Sequence, residues 1–187
     1  MVAIEMPTAV LYLPIALAII GIAYGAKLAM SIFKRDEGTA QMKEISLAIR
    51  EGANAYLKRQ FMTVAIFVAL LLVPIYAVLG QSVAIAFLVG AVCSGLAGYF
   101  GMYIAVRSNS RAAKASLTSM QEALAVPFQA GVVNGALVAG LGLLGVAAVF
   151  AGAYLYFGEN NFALGEAARA LIGFGFGANV LALFMRG

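Results

Sequence analysis

The feature that most limits what this chain can become is the length of its uncharged runs. No Asp, Glu, Lys or Arg occurs from Met6 to Ala26, from Gln60 to Val106, from Ala123 to Gly158, or from Ala170 to Met185. A helix needs about 20 apolar residues to cross the roughly 30 Å hydrocarbon core of a bilayer. The first and third runs each hold one such helix. The second, 47 residues long, holds two, broken at Gly80, Gln81 and Ser82. The last is 16 residues, and Arg169 and Arg186 at its ends can reach opposite interfaces. The fold class is therefore all-α, a polytopic transmembrane bundle. Its five spans lie near residues 8–32, 60–80, 83–106, 129–157 and 168–185, with connections 33–59 and 107–128. Composition agrees, since 11% of the 187 residues are charged against about 25% in a soluble domain.

Charge sets the orientation. Of the twelve Lys and Arg residues, all but Arg169 fall in the connections 33–59 and 107–128 or at the span ends beside them. Positive charge in short loops stays cytoplasmic, which predicts an N-terminus outside and Arg186 at the cytoplasmic face. Residues 1–10 carry no Lys or Arg, so the basic start of a cleaved leader is missing and the first run reads as a span. The net charge of +4 is a matter of topology and gives no sign of nucleic-acid binding. Cys93, the one cysteine, falls within a span with no disulfide partner.

The first cytoplasmic connection is expected to be helical. Met42, Ile45, Ile49, Ala53 and Tyr56 recur at helical spacing on one face, and Thr39 is a candidate N-cap. This predicts a helix over 40–59 that runs into the second span and packs that face on its neighbours; contact with the membrane surface is the second reading. "GLGLLG" at Gly140–Gly145 matches a dinucleotide fingerprint letter for letter. That fingerprint needs a strand before it and a helix starting at it, whereas these glycines sit inside a span. Small residues at helix–helix contacts explain them better. The same reading covers Gly90, Ser94 and Gly98, Gly131 with Gly135, and Gly173 with Gly177, and it points to a bundle larger than five helices.

Catalytic chemistry is hard to assemble from these residues. The chain has no His, a single Asp (Asp36), and no Asp or Glu within the five spans. No catalytic, substrate-binding or metal site is expected within it, because metal-assisted hydrolysis needs clustered carboxylates and no nucleophile–base pair is available. Asn134, embedded in the fourth span, is expected to make an interhelical hydrogen bond, with a transport role as the alternative. From residues alone the chain is a scaffold, which leaves open a stand-alone, non-enzymatic helical-bundle protein or subunit.

Three stretches add more. "EGTAQMKEISLAIREGANAYLKRQF" (Glu37–Phe61), "GAVCSGLAGYFGMYIAVRSNSRAA" (Gly90–Ala113) and "ALIGFGFGANVLALFMRG" (Ala170–Gly187) resemble the membrane-integral, ion-pumping inorganic pyrophosphatases. Members of that family are about four times longer, have about sixteen spans per subunit and work as homodimers. The resemblance implies that this chain is the N-terminal five-helix part, with four outer-ring helices and a fifth that begins the inner ring. The remaining spans of the same protein would pack on it. Arg186 matches an arginine of the family's ion-coupling network, although the family has an aliphatic residue where this chain has Gly187. The implied function is hydrolysis of cytoplasmic pyrophosphate coupled to outward pumping of protons, or less readily sodium ions. Mg2+, with K+ as an open further requirement, would bind to later segments, so residues 1–187 alone would be inactive. The implied setting is a prokaryotic plasma membrane, with the lipid bilayer as partner.

Overall fold

The computed structural model describes residues 8–157 and 161–184. They form five α-helices, each long and apolar enough to cross a membrane. These are α1 (Thr8–Phe33), α2 (Ala40–Leu79), α3 (Gln81–Ser116), α4 (Met120–Phe157) and α5 (Asn161–Phe184). The chain is a multi-pass integral membrane protein whose environment is the lipid bilayer.

The three middle helices are far longer than a membrane is thick. At a rise of about 1.5 Å per residue, α2, with 40 residues, extends roughly 60 Å, about twice the hydrocarbon core. The surplus lies at the start of α2, the end of α3 and the start of α4, beside the basic connections. Residues 107–116, expected to begin a connection, continue α3 instead, and the only non-helical residues before α4 are 117–119. At the opposite end the turn between the second and third spans shrinks to one residue, Gly80, whose φ of 92° suits a residue without a side chain.

Local signals explain the starts at the basic end. Thr39 adopts extended backbone geometry and its Oγ1 accepts from the Met42 N–H at 3.3 Å, opening α2. Gly38 beside it takes φ 94°, and its N–H donates to Asp36 Oδ1 at 3.1 Å. Ser119 opens α4, accepting from the Glu122 N–H at 3.1 Å. Each cap satisfies a donor that a helix start would otherwise leave unpaired.

The central element is α3, which packs on α5, α4 and α2, while α1 lies mainly along α4. Against α5 the approach is close enough to need glycine. A methyl group on Gly90 would run into the Phe174 carbonyl, one on Gly177 into the Phe87 carbonyl, and one on Gly173 would lie 2.6 Å from the Val83 carbonyl oxygen. Gly140 meets Ile22 of α1, and Gly145 meets the Phe174 ring. The expected pair Gly131 and Gly135 behaves differently, since nothing lies within 4 Å of a methyl built on either. Both sit on the side of α4 turned away from its neighbours, so among the described residues they pack nothing.

The face of α2 that packs also differs from the expected one. Of the expected face, Met42 and Ala53 are half-buried, but Ile45, Ile49 and Tyr56 are 62%, 43% and 39% exposed, while Ser46 and Leu57 on another face are buried and Arg50 is half-buried. Polar contacts with α3 and with the α1–α2 connection set the rotation of this helix, and they override the apolar periodicity.

Candidate functional site

Where the surplus helix ends meet, one carboxylate holds two guanidinium groups. Glu37, in the connection between α1 and α2, accepts from Arg50 of α2 at 2.6 Å and Arg111 of α3 at 2.9 Å, both on Oε1. Arg111 is 8% exposed and its donors are spread over several acceptors. Nε donates to the Arg35 carbonyl at 3.2 Å, Nη2 to the Phe33 carbonyl at 3.2 Å and Nη1 to the Arg107 carbonyl at 2.5 Å. Phe33 ends α1, so Arg111 supplies donors to carbonyls that the helix end leaves orphaned and places positive charge at the negative end of its dipole. The planar, multi-donor guanidinium fits this task, and a lysine ammonium does not.

The network extends to both sides. Ser46 Oγ donates to Ser110 Oγ at 3.4 Å, a buried contact between α2 and α3. Arg35 pairs with Glu122 of α4 at 2.7 Å. The α1–α2 connection is thereby fastened to three helices at once. The hydrogen bond from Arg50, together with the charge of Arg111, holds the Glu37 carboxyl below the usual carboxylate range, and the burial that would raise it is outweighed. Among the described residues the Arg50 Nε is buried without a partner.

This clasp was not anticipated in the sequence, where Arg50 and Arg111 counted only as topology-setting charges. A usable signal was present: four of the chain's eight acids, Glu37 among them, fall in the connection 33–59 beside six Lys and Arg residues, and Arg107 and Arg111 stand one turn apart. Chemically the clasp is a set of fixed charges. Among the described residues no three His, Cys, Asp or Glu side chains come together as metal ligands, and Glu37 and Glu122 are already engaged by arginines. The donor set therefore does not fit a magnesium site.

Arg186 lies outside the described residues. One face of α5 looks away from α3 and α4, with Ile172 and Leu183 exposed at 72% and 75%, and Phe176 stands at its edge with its ring 5.7 Å from that of Phe87 on α3. Asn179 is exposed on the same face. By spacing alone, Arg186 follows Asn179 by seven residues and Leu183 by three, which is the interval of a single helical face. Asn134 departs from expectation. It is exposed on α4, its Oδ1 lying where a methyl on Gly101 of α3 would sit, and its side chain makes no hydrogen bond among the described residues. The glycine admits the amide but offers no free donor, since its own N–H lies within a helix.

Comparison with known proteins then supplies what the geometry leaves open. The sequence profile of the family described as inorganic H+ pyrophosphatase matches residues 19–187. The chain is 40% identical over 170 residues, 90% of its length, to the K(+)-insensitive pyrophosphate-energized proton pump of Methanosarcina mazei. It is 43% identical over 156 residues to such a pump, numbered 2, in Moorella thermoacetica, covering 82% of its length. It is 40% identical over 181 residues, 93% of its length, to that of Pyrobaculum aerophilum. In each case it spans 22–24% of the relative's length.

Proposed function

The chain belongs to the inorganic H+ pyrophosphatase family, and from that premise we propose that it is the N-terminal five-helix part of a membrane pyrophosphatase. The complete protein would hydrolyse cytoplasmic pyrophosphate and move protons outward across a prokaryotic plasma membrane. It would work as a homodimer, with its N-terminus outside and the clasp on the cytoplasmic side. The observation that carries this reading is a family match over nearly the whole chain to relatives roughly four times longer. Those relatives are named as potassium-insensitive proton pumps, which favours protons over sodium ions and argues against a potassium requirement.

Two structural features support the division of labour. The described residues do not offer the carboxylates that magnesium pyrophosphate needs, so substrate and Mg2+ would be held by segments beyond those present here. The outward face of α5, with Ile172, Asn179 and Leu183 exposed, would meet further helices, and Arg186 follows it in the sequence at the spacing of the same face. There Arg186 would act in ion coupling. Its charge is permanent at physiological pH, so it can hold a neighbouring carboxylate ionised as helices shift.

The test is a reconstitution. The full-length protein in vesicles should release phosphate from pyrophosphate with magnesium, acidify the lumen, and do so at the same rate with or without potassium. Residues 1–187 alone should insert in the membrane and release none. Magnesium-dependent phosphate release from the 187-residue chain would overturn the division proposed. Arg186→Lys in the full-length protein should cut proton transport at least tenfold more than it cuts hydrolysis; equal losses would argue against coupling through this side chain.

A further inference from the structure

Along the first half of α4 one face has no neighbour among the described residues. Met120, Leu124, Phe128, Gly131, Gly135 and Val138 follow one another at intervals of three or four, which places them on a single stripe of the helix. All six are exposed, and the four large ones, Met120, Leu124, Phe128 and Val138, are so at 76%, 61%, 74% and 54%. The buried Val126, Ala130 and Val133, which pack with Ile32 of α1 and Ile104 of α3, stand on the opposite side.

Two observations identify protein rather than lipid as the cover. The first is that the stripe is not confined to the bilayer. α4 has 38 residues, about 57 Å of helix, against roughly 30 Å of hydrocarbon. Its start is the part outside, where Glu122 pairs with Arg35 of the clasp. Met120 and Leu124 flank Glu122 in the sequence, so a lipid tail that covered Val138 would leave both of them in water. An element that covers the whole stripe must itself run out of the membrane, as α2 and α3 do. The second observation is the change to glycine inside the span. Gly173 and Gly177 of α5, four residues apart, are pressed against the Val83 and Phe87 carbonyls of α3. Gly131 and Gly135 repeat that spacing with nothing within 4 Å. Asn134 beside them is exposed, and an amide turned to hydrocarbon without a partner is costly.

The geometry points to a docking face for one long helix of the polypeptide beyond residue 187, seated on α4 through Gly131 and Gly135 and hydrogen-bonded to Asn134 at the edge. The chain spans 22–24% of the length of its relatives, so the remainder can supply such a helix. The inference rests on the reading of this chain as the N-terminal part of a longer protein. It adds which surface the remainder occupies and how closely it approaches.

Two nitroxides test it, placed by Leu124→Cys and by Val138→Cys in protein freed of its native cysteines. Each is measured in vesicles, in the full-length protein and in the 187-residue chain. In the shorter chain dissolved oxygen should reach position 138, and a water-soluble nickel chelate should reach position 124. In the full-length protein both collision rates should fall by about tenfold or more, because close-packed protein excludes the probes. Gly131→Leu with Gly135→Leu should lower the unfolding midpoint of the full-length protein and leave that of the shorter chain no lower than its parent's. A full-length protein that hydrolyses pyrophosphate with position 138 still open to oxygen would overturn the docking face and leave the pyrophosphatase reading standing. One that hides both positions but hydrolyses none would do the reverse. Rates that are already low in the shorter chain and rise on dilution would also overturn the inference, since a second copy would then be the occupant. So would an equal loss of stability in both proteins on adding the leucine pair.

Discussion

Alanine at both Gly90 and Gly177 is expected to push α5 off α3 and lower the stability of the bundle by several kcal/mol. Each new methyl group would meet a backbone carbonyl, that of Phe174 for Gly90 and that of Phe87 for Gly177. A backbone atom cannot rotate aside as a flexible side chain can, so the helices must separate. Overpacking typically costs about 1–3 kcal/mol per site, and here two sites load the same contact. In a bilayer the loss is felt fully, because helix association there relies on close packing with no hydrophobic drive to compensate. Unfolding of the purified chain in SDS, followed by circular dichroism, gives the measurement. Gly131→Ala with Gly135→Ala is the matched control, with two glycines inside an apolar helix and nothing within 4 Å of the added methyls; it should leave the chain at least as stable as the parent, since alanine favours a helix over glycine by up to about 1 kcal/mol per site. If both pairs shift the midpoint alike, the effect is one of helix propensity and the close α3–α5 approach is wrong.

The contrast between these glycines shows what the sequence could and could not reveal. Charge-free runs are a one-dimensional signal, so the number of helices and their approximate places were readable from it. Thr39 as the cap of α2 was readable too, because a cap depends on only three or four neighbouring residues. Glycine partners were not. Gly173 and Gly131 look alike in the string, and only the direction each faces in the folded bundle distinguishes them. The apolar periodicity of 40–59 misled for a related reason. Ile45 and Ile49 suggested a packing face, yet the helix is rotated by Ser46 and Arg50, whose partners Ser110 and Glu37 are distant in sequence. Periodicity weighs greasy residues, whereas burial at a membrane surface can be decided by a few charge-assisted hydrogen bonds. Asn134 illustrates the same limit, as an amide in a span predicts a donor nearby but Gly101 supplied only space. The clasp as a whole was hidden because it is built from long-range pairs, with Arg111 reaching back 74 to 78 positions to Glu37, Arg35 and Phe33.

The clasp also yields the second large effect. Arg111→Ala should destabilise the chain by about 3 kcal/mol or more. It orphans two carbonyls at the end of α1, each costing about 1–3 kcal/mol when buried, and removes one of the two cations on Glu37. Arg111→Lys should recover only part of this, because an ammonium cannot span the Phe33 and Arg35 carbonyls and the carboxylate together. Glu37→Gln should cost less than Arg111→Ala, since the guanidinium keeps its carbonyl acceptors. Titration isolates the carboxylate. The pKa of Glu37 is lowered in the folded state, so its contribution is complete above the ordinary carboxylate value and fades as pH falls through the folded one. Over that acidic window the parent should lose stability faster than Glu37→Gln, while above it the difference between them should be constant. Parallel curves throughout would mean that the charge on Glu37 contributes nothing, and a fully stable Arg111→Ala would mean that α1 is held at this end by packing around Ile32 and Val126 alone.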